Sequence, residues 1–295
     1  MTTAVTVVIA TRNRAVGLTR TLDRLRSLPE QPPVIVVDNG STDDSAAAVR
    51  RRHPDVTVIE LGENLGAVAR TVGVRASTTP YVAFCDDDSW WEPGALTRAA
   101  GHLDAHPRIG LLAARIRVGP ERRLDPVCAM MADSPLGTEP DLPGPSVLGF
   151  VACGAIVRRD AYLAIGGFSP VVFFFGEETV LAQDLAAAGW ARVYVDDVVA
   201  THDPAPGGDR SGRRRLLLRN VLLSTWLRRR WPALLATTGH AIRDISDADV
   251  RGALLDAAAR LPAVVRARRA LPRHVEEAVQ RLELLQPPPL AGSHA

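Results

Sequence analysis

The chain has 295 residues, 46% hydrophobic and 23% charged, which suffices for a large buried core and excludes a disordered polypeptide. Its formal charge of +2 hides an asymmetry: all 35 cationic residues are Arg, and eight of them fall in the acid-free stretch Arg210–Arg230, leaving 27 against 33 acids elsewhere. A slightly acidic body with one basic segment argues against nucleic-acid binding, and no window approaches the ~20 uninterrupted apolar residues of a membrane span.

In chain order, apolar runs of strand length alternate with helix-period segments over the first hundred residues, the pattern of βαβ units and a mostly parallel sheet. Val5 to Ile9 reads as a strand with no basic-plus-apolar leader before it. Leu18, Leu22 and Leu25 recur at helical spacing until Pro29, Pro32 and Pro33. Val34 to Val37 is the second strand, closed by Asp38-Asn39-Gly40; Ser41 or Thr42 caps the Ala-rich helix that ends at His53-Pro54. Val56 to Leu61 is the third strand, Leu65 to Ala76 the third helix, and Tyr81 to Cys85 the fourth strand.

Pro93 sits in the first turn of a helix, and residues 119 to 146, rich in Pro, Gly and Asp, read as a long loop. Val147 to Val157 regains strand character. Glu177 opens a helix with Val180, Leu181, Leu185 and Ala188 that Gly189 terminates, and strands at Arg192–Val195 and Val198–Thr201 lead to His202. Pro204 to Gly212 is a connector to a helical extension of residues 206–295, after a catalytic unit of residues 1–205 with halves at about 1–115 and 116–205.

The strongest chemical signal is Asp86-Asp87-Asp88 at the end of a buried strand. Clustered carboxylates are costly without a positive partner, and hard cations such as Mg²⁺ or Mn²⁺ take oxygen ligands while bridging to substrate phosphates. Strand alternation puts Asp86 and Asp88 on one side, Asp88 toward metal and Asp86 toward ribose or metal. Asp38 and Asn39 form a second polar strand end, where Asp38 either accepts from a pyrimidine imide N–H or serves the turn. Arg12 and Arg14, after Thr11, suit base stacking or phosphate, as does Arg70 near a helix start. Neither G-x-G-x-x-G nor G-x-x-x-x-G-K-[ST] occurs, which removes the usual dinucleotide and P-loop readings. Glu177 and Glu178 stand at a helix N-terminus after the apolar Val171–Phe175; the apolar wall raises a carboxylate pKa and the helix dipole lowers it. Trp90, Trp91 and Gly154 either line a sugar site or pack the core.

In order, Val-Ile-Ala-Thr-Arg-Asn-Arg at 8–14, Val-Val-Asp-Asn-Gly-Ser-Thr-Asp at 36–43, Asn-Leu-Gly at 64–66, Asp-Asp-Asp at 86–88, Gly-Gly-Phe at 166–168, Gly-Glu-Glu at 176–178 and His202 resemble the family 2 glycosyltransferases over residues 5 to about 203. The resemblance implies a GT-A fold, an α/β Rossmann-like mostly parallel sheet flanked by helices. It implies a nucleoside-diphosphate sugar donor of UDP or dTDP type, a hydroxyl-bearing acceptor, Mn²⁺ or Mg²⁺, and inversion at the anomeric carbon. By it, Thr11, Arg12, Arg14, Asp38, Asn39, Arg70, Asp86 and Asp87 hold the donor, Asp86, Asp88 and His202 the metal, and Glu178, with Glu177 beside it, supplies the base. Two rival classes share parts of this pattern: a sugar-1-phosphate nucleotidyltransferase, which needs a Gly-rich basic loop near the first strand, and a catalytically silent nucleotide-binding partner protein, which needs no carboxylates.

The Arg210–Arg230 segment mixes apolar and basic residues, either as an interfacial helix at an anionic membrane or as a helix packed on the catalytic domain. Three scattered cysteines (Cys85, Cys128 and Cys153) suit neither a disulfide framework nor a metal cluster. Together these features lead to the expectation of a cytoplasmic protein, with peripheral contact at the inner face of the membrane left open.

Overall fold

The computed structural model describes residues 4–204 and 212–285. The first four strands are β1 (Val5–Thr11), β2 (Val34–Asp38), β3 (Thr57–Glu60) and β4 (Tyr81–Cys85), separated by helices α1 (Ala15–Arg26), α2 (Ser45–Arg52) and α3 (Val68–Ala76). All four run parallel, with Thr11 beside Asp38 and Ile9 beside Cys85, so their polar ends gather on one sheet edge. Ligands bind beyond that edge in open α/β sheets. As the periodicity predicts, Leu18, Leu22 and Leu25 are fully buried under the sheet. Gly73 of α3 lies so close that an added Cβ would come within 2.4 Å of Val8 Cγ1.

Beyond β4 the chain adds β5 (Ser89–Trp91), α4 (Ala95–Ala105), β6 (Ile109–Val118), β7 (Arg123–Leu124), α5 (Pro126–Ala132), β8 (Ala155–Arg158), α6 (Arg159–Ala164), α7 (Glu177–Ala187) and β9 (Ala191–His202). The sheet order is β3-β2-β1-β4-β8-β6-β9-β5, with β7 on β6; β8, β5 and β7 are antiparallel to the rest. His202 ends β9 beside Val118 and Ser89, on the same edge as the acidic turn.

Several predicted boundaries move. The 119–146 loop contains β7 and α5, the latter started by Asp125, whose carboxylate accepts from Val127 N at 2.8 Å, with Pro126 in the first turn. The strand expected at Val147–Val157 shrinks to β8, after a 3-10 turn at Ala152–Gly154 where Gly154 has its Cβ position 2.6 Å from Ile116 Cδ1. The two strands before His202 are one, with a register shift opposite Ala114 and Arg115 that leaves Asp196 and Asp197 exposed. Helix α2 starts after Asp44, not after Ser41 or Thr42, and α4 starts after Gly94. Trp91 and Gly154 are core residues, Trp91 with no exposed surface, which removes them from the sugar site; Trp90 is covered by the Arg24 guanidinium 5.4 Å from its ring centroid. All three cysteines are buried and unpaired, and burial pushes each thiol up.

Five helices follow: α8 (Arg213–Arg228), α9 (Trp231–Arg243), α10 (Ala248–Ala258), α11 (Leu261–Ala267) and α12 (Arg273–Leu285). The expected connector lies outside the described residues over 205–211, and so does Arg210. Leu218, Leu222, Leu223 and Leu227 of α8 are buried against Val171, Val172 and Val180 on one side and Val250, Ala253 and Ala257 on the other. Four arginines of the basic run meet acids that are distant in sequence. Arg214 pairs with Asp247 and Asp249, Arg215 with Asp256, Arg228 with Asp184, and Arg229 with Glu276 and Glu283. Of the two readings of this segment, the buried leucines of α8 follow the one in which the helix packs on the catalytic unit. No helix among the described residues is long and apolar enough to cross a membrane. Because Glu276 is 4% exposed, Arg229→Ala strands a buried carboxylate and is expected to cost about 3–5 kcal/mol, read as a lower urea midpoint at unchanged slope.

Candidate active site

The acidic turn connects β4 to β5. Ser89 Oγ accepts from Asp86 N at 2.8 Å and Ser89 N donates to Asp86 O at 3.2 Å, which fixes the turn that presents the three carboxylates. Each then takes a different partner. Asp86 Oδ1 accepts from Arg70 Nη2 at 2.6 Å, Asp87 Oδ2 accepts from Thr11 Oγ1 at 2.8 Å, and Asp88 Oδ1 lies 3.4 Å from His202 Nε2. Burial pushes Asp87 up to about 6 against the pull of the Thr11 hydroxyl. At Asp88 burial acts upward, yet the bond and charge of His202 and the charge of Arg14 together leave it below the usual carboxylate range. His202 is held above its ordinary value by the same bond.

Arg70 is the hub. It is 6% exposed, its Nη1 lies 3.6 Å from Glu177 Oε1 while Nη2 holds Asp86, and its guanidinium sits 5.9 Å from the Phe168 ring. The Gly-Gly-Phe motif supports that ring. Gly167 has φ +78° with its Cβ position 2.6 Å from Thr71 Oγ1, and Phe168 N donates to Thr71 Oγ1 at 3.2 Å. The sequence reading gives Arg70 to the donor; among the described residues its contacts are two carboxylates, the anionic partners an interior guanidinium needs.

Asn39 is likewise buried and internal. Its Oδ1 accepts from Leu65 N at 2.7 Å and its Nδ2 donates to Gly66 O at 3.1 Å, so it holds the Asn-Leu-Gly turn. Gly66, at φ +59°, has its Cβ position 2.3 Å from Phe173 O, and Ala67 N donates to that oxygen at 2.7 Å. The turn thus anchors the apolar run before Glu177. Phe173 and Phe175 adopt φ of 75° and 72°, a region that costs large side chains free energy. The extension supplies the hold: Asn220 Nδ2 donates to Phe174 O at 2.7 Å and Phe175 O at 2.5 Å, Arg219 Nη2 to Val172 O at 3.2 Å, and Arg260 Nη1 to Val171 O at 2.6 Å. Sequence reasoning missed Asn220; its one signal was a lone amide among the leucines of α8.

Glu177 is 2% exposed, with Oε2 lacking a hydrogen-bond partner, whereas Glu178 is half-buried and makes no ion pair among the described residues. Burial, then the adjacent Glu177, push Glu178 up to about 7 against the attraction of Arg70. On the donor side, Asp38 Oδ1 accepts from Ser41 N at 2.9 Å and Arg12 Nε donates to Gly40 O at 3.3 Å. Arg14 is exposed and forms no ion pair within 4.0 Å among the described residues. Asn13, at φ 55°, ties the two loops through Thr42 N, which donates to its Oδ1 at 2.7 Å. Among the described residues no three His, Cys, Asp or Glu side chains gather as a complete metal cage. The Asp88 and His202 pair offers one oxygen and one nitrogen donor, which fits a divalent cation that takes its other ligands from phosphate and water.

A curled, mostly parallel sheet whose strand ends gather the Asp38-Asn39-Gly40 turn and the acidic turn on one edge is a GT-A glycosyltransferase fold. The model of the family "Glycosyl transferase family 2" matches residues 6–166, more than half of the chain, and the protein belongs to that family. Two Mycobacterium tuberculosis proteins are similar to it. A pre-mycofactocin glycosyltransferase is 36% identical over 206 residues, 68% of this chain and 42% of that protein. An N-acetylglucosaminyl-diphospho-decaprenol L-rhamnosyltransferase is 29% identical over 239 residues, 70% of this chain and 78% of that protein. The chain therefore spans less than half the length of the first relative. A Pyrobaculum calidifontis mannosyltransferase solved with GDP-Man and Mn²⁺ shares the fold at TM-score 0.60 and 24% identity, covering 97% of this chain and 82% of that one. GalNAc-T7, solved with UDP, GalNAc and Mn²⁺, superposes at TM-score 0.67 and 13% identity, covering 97% and 58%.

Arg70→Leu leaves Glu177 buried without a cation and is expected to cost about 3–5 kcal/mol. Adding Glu177→Gln to that variant should recover part of the loss; a double-mutant cycle on urea midpoints measures the coupling, and strict additivity would deny it.

Proposed function

We propose that the protein is an inverting glycosyltransferase that moves a sugar from a nucleoside-diphosphate donor of UDP or dTDP type to a hydroxyl of its acceptor. The observation that carries this reading is the Arg70 bridge, 2.6 Å from Asp86 and 3.6 Å from Glu177, which draws the acidic turn and the N-terminus of α7 to one place. Asp38, whose second carboxylate oxygen makes no hydrogen bond within the described residues, accepts the imide N–H of a pyrimidine, and Arg12 and Arg14 face the diphosphate. Asp88 and His202 would hold Mn²⁺ or Mg²⁺; a bound divalent cation supplies positive charge to the leaving diphosphate.

Glu178, rather than the buried Glu177, is the base in this reading. The acceptor oxygen attacks the anomeric carbon as its proton passes to Glu178, and the carbon–oxygen bond to the diphosphate breaks with its electron pair leaving on phosphate. One base opposite the leaving group gives a single displacement and inversion. Glu177 acts through Arg70 as a positioning residue. Support for the acceptor comes from the relatives, whose names speak of pre-mycofactocin and of N-acetylglucosaminyl-diphospho-decaprenol; a lipid-linked saccharide, a cell-envelope glycan or a secondary metabolite bearing a hydroxyl fits the same chemistry.

Incubation with individual activated sugars and Mn²⁺, followed by product analysis with hydrolysis as proxy, should give turnover of at least one pyrimidine donor. Absence of turnover with every donor, together with no nucleotide-dependent thermal shift, would refute the reading. Glu178→Gln is expected to lower transfer about 10²–10⁴-fold while donor binding persists.

The pH profile follows from sign. A base works deprotonated, and Glu178 in the company of Glu177, Arg70 and Asp86 is pushed up to about 7, so transfer should hold above that pH and fall about tenfold per unit below it. An acid limb near the ordinary carboxylate range would reassign the base.

A further inference from the structure

A groove of about 680 Å³ opens beside the N-terminal turn of α7, between the 127–150 segment, α8 and α12. That volume lies within the span of roughly 300–1,000 Å³ typical of small-molecule sites. Its walls are mainly apolar, among them Met131, Phe150, Val221 and Leu282. Gly176 and Thr179, the residues on either side of the Glu177–Glu178 pair, belong to the same lining, so the groove ends next to that pair. Gln183, one turn further along α7, also lines it. Gln183 is 4% exposed and its Oε1 has no hydrogen-bond partner. A buried carbonyl oxygen without a donor is costly and is expected to meet one from water or ligand. An apolar group suits the wall of Met131, Phe150, Val221 and Leu282, which offers a sugar hydroxyl no side-chain partner.

We propose, on the basis of the glycosyltransferase reading above, that this groove binds the apolar part of an amphipathic acceptor. The acceptor carries an alkyl, alicyclic or aromatic body that fills the groove, one donor group that meets Gln183 Oε1, and a hydroxyl that reaches Glu178. The groove and Gln183 then set acceptor specificity, selecting a molecule with an apolar body over a purely polar saccharide.

The test uses the full chain with methyl, butyl, hexyl and octyl β-glucosides as probes, the octyl compound below its micelle concentration. Binding is read by ligand-observed NMR and titration calorimetry. Affinity should rise with chain length, about threefold per methylene once seated and more than about tenfold from methyl to octyl. Val221→Trp and Ser224→Trp, which fill the groove from α8, should each remove the gain, and Gln183→Met should weaken the octyl compound about fivefold or more, since its oxygen acceptor is gone. Near-UV circular dichroism checks folding of the variants; should they fail to fold, the wild-type series decides. Equal affinity for methyl and octyl compounds overturns the proposal, as does a chain-length gain that survives both Trp substitutions, which places the alkyl group elsewhere. Donor hydrolysis without acceptor reports the parent reading separately. Hydrolysis without discrimination sinks only the groove, and discrimination without donor turnover sinks the transferase reading and leaves an apolar ligand site.

Discussion

The site depends on a single buried cation. Arg70 lies under the sheet edge with a guanidinium shared between Asp86 and Glu177, and a charge at 6% exposure persists only where anionic partners meet it. Its position is itself determined by close packing: Gly73 lets α3 approach Val8, and Phe168, held by Thr71 through a backbone bond, presents its face to the guanidinium. Arg70 thereby joins an acid of the acidic turn to an acid at the start of α7. Of their neighbours, Glu178 is half-buried without an ion pair among the described residues, and Asp88 is half-buried beside His202.

The loop that delivers Glu178 is restrained from two directions. The Asn39-supported turn at Gly66 and Ala67 grips the Phe173 carbonyl, while Asn220, Arg219 and Arg260 from the helical extension grip the carbonyls of Phe174, Phe175, Val172 and Val171. Two phenylalanines at positive φ would relax into ordinary backbone without such anchors. The extension therefore shapes the sheet edge that carries Glu178, and Arg214, Arg215, Arg228 and Arg229 tie it together and to α7 through acids.

Local signals in the sequence were read well. The apolar runs, the periodicity of Leu18, Leu22 and Leu25, and the Gly189 stop after α7 each correspond to an observed element, because each is decided by neighbours within a few residues. The strand-end motifs were also legible as a set. What sequence could not give was pairing across distance. Nothing near Arg70 announces Glu177, nothing near Arg228 announces Asp184, and the Asn39 amide looks the same whether it binds a nucleotide or a turn. The β9 register shift and the short β5 arise from curling of the sheet, and no period of two or 3.6 records them.

The sign of the Glu178 shift shows how structure decides what propensity leaves open. A helix N-terminus favours an ionised carboxylate by about 0.3–1 kcal/mol when exposed. Glu178 is half-buried beside a second, fully enclosed carboxylate, and burial with like-charge repulsion outweighs the dipole and the attraction of Arg70. Arg70 is already shared between Asp86 and Glu177, so it neutralises Glu178 only weakly. Gly176 and Thr179, on either side of the Glu177–Glu178 pair, line the groove. On the function proposed above, an acceptor seated there would bring its hydroxyl beside a carboxylate already raised by burial and by its neighbour Glu177.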